Sequence, residues 1–222
     1  MKPLKLKSPE LAATYETVMA DIYRQIDVFP WHDPHAYAAW LAQSFHMTKY
    51  TTRVAALTAG SFSLEEDALH VKGLSHVREE LGHEHLALND LKHMGFKVKD
   101  FPEFLQCRLM IQSQYYFIGR HPSAHFGFVL PLETIACERG PKMTEAVQKA
   151  HGKLADSFIR IHADVDQGHA VEMIQAINMS PEHVGPMIRE NLVQPGVLKN
   201  GVLVKAAQWT AFRCSSSRVR GD

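Results

Sequence analysis

The stretch His76 to His83 reads HVREELGH, and the stretch His162 to His169 reads HADVDQGH. Each places a histidine, a carboxylate four residues on, and a second histidine three residues after that. A glycine precedes the last histidine in both. On an α-helix these three positions fall within roughly 60° of one another, on one stripe. Val77 and Leu81 flank the first stripe, and Ile161 and Val165 the second. Both stripes therefore face a core. Ionisable groups buried there cost several kcal/mol each unless they are paired or bound to metal.

Working outward, the rest of the chain also reads as helix. Ser8-Pro9-Glu10 supplies an N-cap, a proline at the first helical position and an acid in the first turn, for a helix to about Asp27. Asp33-Pro34 starts a second helix that ends near Gly60. A third runs from Glu65 to Met94, where Gly95 forms the C-cap. A fourth covers Glu103 to Gly119. His121-Pro122-Ser123 breaks the chain before a fifth helix to Arg139, and Gly140-Pro141 sets off a short helix over 142–150. The sixth covers Lys153 to Asn178. Ser180-Pro181-Glu182 opens a shorter one, Pro195-Gly196 and Asn200-Gly201 read as turns, and 202–213 is a last amphipathic segment. Residues 215–222 form a frayed tail, whose RGD is a chance tripeptide. Strand signals are nearly lacking. The expectation is an all-α, single-domain bundle of about seven main helices over residues 1–222.

Bulk properties narrow the function. Net formal charge is zero, with 24 basic and 24 acidic residues, which argues against a nucleic-acid partner. Cys107, Cys137 and Cys214 are scattered and have no CxxC spacing, so neither a disulfide framework nor a zinc knuckle is expected. No apolar run has the length of a membrane span, and the basic N-terminus lacks an apolar signal core. A cytoplasmic protein without a membrane partner is expected. Its 14 histidines are the unusual feature.

Two helices that each carry an acid-x-x-His on an inner stripe, with carboxylates from others, make the dinuclear metal arrangement of helical bundles. Imidazole and carboxylate donors without thiolate suit iron or manganese. Glu133, among Val129, Leu130, Leu132 and Ile135, is an acid inside an apolar helix and is the preferred bridging carboxylate. Glu138 beside Arg139 reads as a surface pair. Glu79 competes with Glu80 as partner to His83. His76 completes the repeat and is read as a second-layer residue or a neighbour, with ligation left open. His32, His35, His85, His93, His121, His125 and His151 are expected to be exposed or at helix ends.

At these residues the sequence resembles the haem-oxygenase-like diiron oxidases, which share a seven-helix fold with haem oxygenase, the TenA proteins and pyrroloquinoline-quinone synthase. The carriers are H-x3-D-x2-H (His162, Asp166, His169), Glu133 in LPLETIA, and REELGHEHLALNDLKHMGF with Glu80 and His83. The resemblance covers most of residues 35–178. It implies two Fe(II) ions per chain, held by Glu80, His83, Glu133, His162, Asp166 and His169, and O2 as co-substrate. The implied reaction is oxidation of a small molecule of the amino-acid or fatty-acid class, by C–C cleavage, desaturation or N-oxygenation. An external electron donor and a homodimer are compatible with it. Where some members carry a further glutamate, this chain has His46. That ligand is then either replaced by His46 or absent, and His46 is also placed with Met110, Tyr115 and Tyr116 around the substrate pocket, near Phe45, Phe117, Phe126 and Phe128. The rival readings are a metal-free TenA-like hydrolase working through a cysteine, a ferritin-like iron-handling bundle, and a haem-binding protein.

Overall fold

The computed structural model describes residues 5–165 and 168–216. No strand occurs among them. Ten α-helices follow one another: α1 (Pro9–Val28), α2 (Pro34–Thr48), α3 (Thr51–Gly60), α4 (Asp67–Glu79), α5 (Glu84–His93), α6 (Leu105–Arg120), α7 (Phe126–His151), α8 (Ser157–Val165), α9 (His169–Met179) and α10 (Gly185–Ser216). Three pairs, α2/α3, α4/α5 and α8/α9, each cover one helix expected from the sequence. Seven helical units result, three of them interrupted.

The expected caps form. Ser8 Oγ accepts from the Leu11 amide at 3.2 Å, and Asp33 Oδ1 accepts from the His35 and Ala36 amides at 2.9 Å each. These side chains satisfy donors that the first turn leaves without helical partners. Three expected breaks do not occur. The helix runs through Pro141 in α7 and through Pro195, Gly196, Asn200 and Gly201 in α10. Each interior proline removes one helical hydrogen bond, roughly 3 kcal/mol in an isolated helix. Burial on both sides of Pro141, with Gly140 and Met143 in the core, outweighs that local preference.

α10 is the spine of the bundle and packs on α1, α2, α6 and α7. α2, with Ala36, Ala38, Ala39, Leu41 and Ala42 at 0% exposure, is apolar all round and so lies inside. α7 and α10 approach backbone to backbone. A Cβ at Gly127 would lie 2.2 Å from the Ile188 carbonyl oxygen and 3.0 Å from the Leu192 nitrogen, so only glycine permits this crossing. α7 carries Glu133 on its inner side, and α8 packs along it. Among the described residues no helix is long and apolar enough to cross a membrane.

Candidate metal centre and its cavity

The stripe expected over His76, Glu80 and His83 is broken. α4 ends at Glu79, and Gly82 adopts φ 94°, a left-handed conformation open to glycine at little strain. The His83 amide bonds back to the Glu80 carbonyl at 3.3 Å, and α5 starts at Glu84. In the late motif, His162 lies on α8 and His169 is the first residue of α9. Asp166 lies outside the described residues.

Two clusters result among the described residues, the donor atoms of each lying within 4.8 Å of one another. Glu80, His83 and His162 form one. His76, Glu133 and His169 form the other. His162 and His169, expected at the same end of the site, therefore belong to different clusters. His76, which the sequence left ambiguous, stands beside Glu133 with Nε2 at 3.9 Å from Oε1. The turn at Gly82 separates His76 from His83, which stands in the other cluster.

Each cluster has fixed geometry. In the first, His83 Nδ1 lies 3.5 Å from Glu80 Oε2, and the His83 and His162 rings are 4.8 Å apart. His162 Nδ1 is 2.6 Å from the Phe158 carbonyl oxygen. A carbonyl only accepts, so Nδ1 carries the proton and Nε2 keeps its lone pair for a ligand. Burial pushes the Glu80 carboxyl up, but the His83 hydrogen bond and the electrostatic influence of the neighbouring imidazoles outweigh it. They hold the group below the usual carboxylate range. In the second cluster, His169 Nδ1 lies 3.5 Å from Glu133 Oε2 and Nε2 lies 3.3 Å from Glu79 Oε2. Ser75 Oγ donates to Glu79 at 2.9 Å. One nitrogen on the shared site and the other on a carboxylate is the usual bracing of a metal-bound imidazole. The sequence left Glu79 and Glu80 in competition; here each faces a different histidine.

Both donor sets are two imidazoles and one carboxylate, without sulfur. Such a set fits a divalent iron or manganese ion with coordination positions left open. His76, Glu80, Glu133 and His162 all border one cavity of about 140 Å³. Most of its remaining wall is apolar, with Met47, Val54, Met110, Ile111, Phe128 and Val129 among the lining residues.

Met110 is where the sequence placed it. Tyr115 and Tyr116 are not: they are 48% and 55% exposed, and the Arg120 guanidinium donates to the Tyr116 hydroxyl at 2.9 Å. The buried face of α6 runs Cys107, Met110, Ile111, Gln114, Phe117, Ile118, and helical periodicity turns the tyrosines outward. His46 does not line the cavity either. Its Nε2 is 3.2 Å from the Phe101 carbonyl and its Nδ1 3.3 Å from Lys49 Nζ, so it fastens α2 to the loop before α6. Of the four nearby phenylalanines only Phe128 borders the cavity.

His125, expected to be exposed or at a helix end, caps the start of α7, is 4% exposed and forms part of the cavity wall. Its ring is set by a buried polar network. The Asn191 amide donates to the Ala124 carbonyl and to Gln114 Oε1, each at 2.8 Å. Gln114 Nε2 donates to the Met110 carbonyl at 3.2 Å and to Asn191 Oδ1 at 3.0 Å. The two backbone carbonyls fix both amide orientations. Gln114 Oε1 must then accept from His125 Nδ1, 2.9 Å away. Burial, with the His76 charge nearby, pulls the His125 pKa down to about 3, so the ring is neutral. No sequence signal marked Gln114, Asn191 or Lys199, the last of which also lines the cavity.

No protein-family model matches the chain, and no curated protein does. Solved structures do match it. A domain from Shewanella denitrificans OS217, described as having a haem-oxygenase-like fold, aligns with TM-score 0.74 and 18% identity, over 95% of this chain and 94% of its own. A TenA homologue from Pseudomonas syringae pv. tomato DC3000 aligns with TM-score 0.72 and 12% identity, over 90% and 91%. A TenA homologue from P. horikoshii OT3 aligns with TM-score 0.68 and 12% identity, over 90% and 99%. At these identities the likeness carries architecture, and it agrees with the helical layout: the chain has the haem-oxygenase-like fold.

Proposed function

We propose that the chain is a non-haem diiron oxidase that uses O2 to oxidise a small organic substrate of the amino-acid or fatty-acid class. The observation that supports this is the pair of two-imidazole, one-carboxylate clusters bordering one apolar-walled cavity. His76, Glu133 and His169 would hold one ion and Glu80, His83 and His162 the other. Asp166 remains a further expected ligand. Bound iron would supply reductive activation of O2. The protein's own part is orientation and exclusion. Phe158 fixes the His162 tautomer, Glu79 braces His169, and the apolar wall keeps water from the reacting centre. Electrons beyond those of the substrate would come from an external donor. The test is oxygen uptake by the iron-loaded protein with candidate amino acids and fatty acids. Uptake should quicken with one substrate class and vanish in Glu133→Ala. Iron bound without substrate-dependent uptake would refute oxidase activity.

One observation favours a second reading, a metal-free TenA-like hydrolase: Cys107 borders the same cavity. Against it, burial pushes the Cys107 thiol up to about 12, with Glu103 adding to the effect. The thiol faces the Gln43 carbonyl, 3.8 Å away, where it acts as a weak donor. A nucleophilic cysteine needs the opposite environment.

A further inference from the structure

The metal clusters leave one charged group in the cavity wall unused. Lys199 projects from α10 into the same cavity, beside Val202 and Leu203. It is only partly exposed, and among the described residues its ammonium makes no hydrogen bond or ion pair. Glu80 and Glu133, the acids that border the cavity, already face histidines. An ammonium with three donors and no acceptor, set in an apolar wall, is an incomplete pair.

We propose that Lys199 binds the carboxylate of the substrate and so makes the cavity selective for small carboxylates with apolar bodies. The chemistry is complementary. A carboxylate would accept charge-assisted hydrogen bonds from Nζ, and the apolar wall would cover the hydrocarbon. Size sets the scale. A cavity of about 140 Å³ is close to one that accommodates a benzene-sized body, about 150 Å³. A carboxylate with about five to seven further carbons is therefore the class that fits. Burial draws the Lys199 pKa down to about 8, with Cys107 and Glu133 pulling the other way. The amine is still mostly protonated at neutral pH, and an arriving anion relieves its desolvation. The inference takes the oxidase cavity as the substrate site, yet carboxylate capture by Lys199 needs no metal.

The test compares hexanoate with its neutral isostere hexanamide, by calorimetry and by Trp40 fluorescence, on the full chain as purified and after chelation. Lys199→Met keeps the stem and removes the charge; Lys199→Arg keeps the charge. Hexanoate should bind the wild type about tenfold or more tightly than hexanamide, as expected for one charge-assisted contact. Lys199→Met should abolish that preference with little change in hexanamide affinity, and Lys199→Arg should restore part of it. Equal binding of the two ligands, preference surviving in Lys199→Met, or no hexanoate binding at millimolar concentration would overturn the proposal. A Lys199-dependent preference in a chain that takes up no iron would leave the proposal standing and remove the diiron reading. Iron uptake without the preference would do the reverse.

Discussion

Asn191→Ala removes three buried hydrogen bonds at once: two donated by its amide, at 2.8 Å each, and one it accepts from Gln114, at 3.0 Å. Each is worth about 1 kcal/mol net in a folded protein. The remaining partners of Gln114, the Met110 carbonyl and His125, stay in place, so no full desolvation penalty is added there. The expected loss is about 3 kcal/mol. For a chain of this size each kcal/mol lowers the melting temperature by about 2–4 °C, so the midpoint should fall by roughly 6–12 °C. Asn191→Asp sharpens the test, since its shape is nearly unchanged. It replaces an amide donor aimed at two acceptors, Gln114 Oε1 and the Ala124 carbonyl, with an oxygen. At 0% exposure it also buries a charge. It should destabilise more than the alanine variant does. Urea unfolding followed by circular dichroism measures both. A loss below about 1 kcal/mol for Asn191→Ala, or an aspartate variant milder than alanine, would refute the amide orientations and, with them, the His125 tautomer.

Four further outcomes are expected. Gly127→Ala should destabilise by about 1–3 kcal/mol or more, because its Cβ would meet the α10 backbone; unfolding midpoints check this. Asp90→Ala should cost about 1–2 kcal/mol and loosen α8, since Asp90 accepts from the Ser157 and Phe158 amides at 3.1 and 2.8 Å and from the Ser157 hydroxyl; reduced iron retention at the His162 cluster should accompany the lost stability. Cys107, shifted from 9.0 to about 12, should react with iodoacetamide at pH 8 about a thousandfold more slowly than a free thiol and speed up as pH rises. Peptide mapping reads the rate, and free-thiol reactivity would favour the hydrolase reading. His125, lowered from 6.5 to about 3 by burial and His76, binds fewer protons folded than unfolded. Its contribution to stability is therefore present above pH 6.5 and is lost as pH falls towards 3. Its imidazole resonances should stay neutral at pH 5, where a solvated histidine is protonated.

The bundle is legible in the sequence where local chemistry decides. Ser8-Pro9, Asp33-Pro34 and Gly95 are capping signals that depend on a few neighbouring residues, and each marks a real helix end. Glu133 is legible because an acid among Val129, Leu130, Leu132 and Ile135 requires a partner. The turn inside the first histidine motif is harder to read. Apolar periodicity continues through Gly82, and only the glycine ahead of the last histidine hints that the helix stops. Beyond that turn His83 stands with Glu80 and His162, while His76 stands beside Glu133. Pro141, Pro195 and Asn200-Gly201 err the other way: they carry turn chemistry, yet tertiary packing keeps them helical. Lys199 escapes notice for the same reason, since a lysine beside an apparent turn reads as surface. Tyr115 and Tyr116 illustrate composition overriding phase, because counting from Met110 in steps of three and four reaches Gln114, Phe117 and Ile118 instead.

Metal content under anaerobic Fe(II) titration tests the central claim most directly, on wild type, His76→Ala and His162→Ala. The account predicts two irons per chain in the wild type and loss of one from each variant, because the two histidines belong to different clusters. A wild type that binds no iron, or a His76→Ala variant that keeps both, would contradict it.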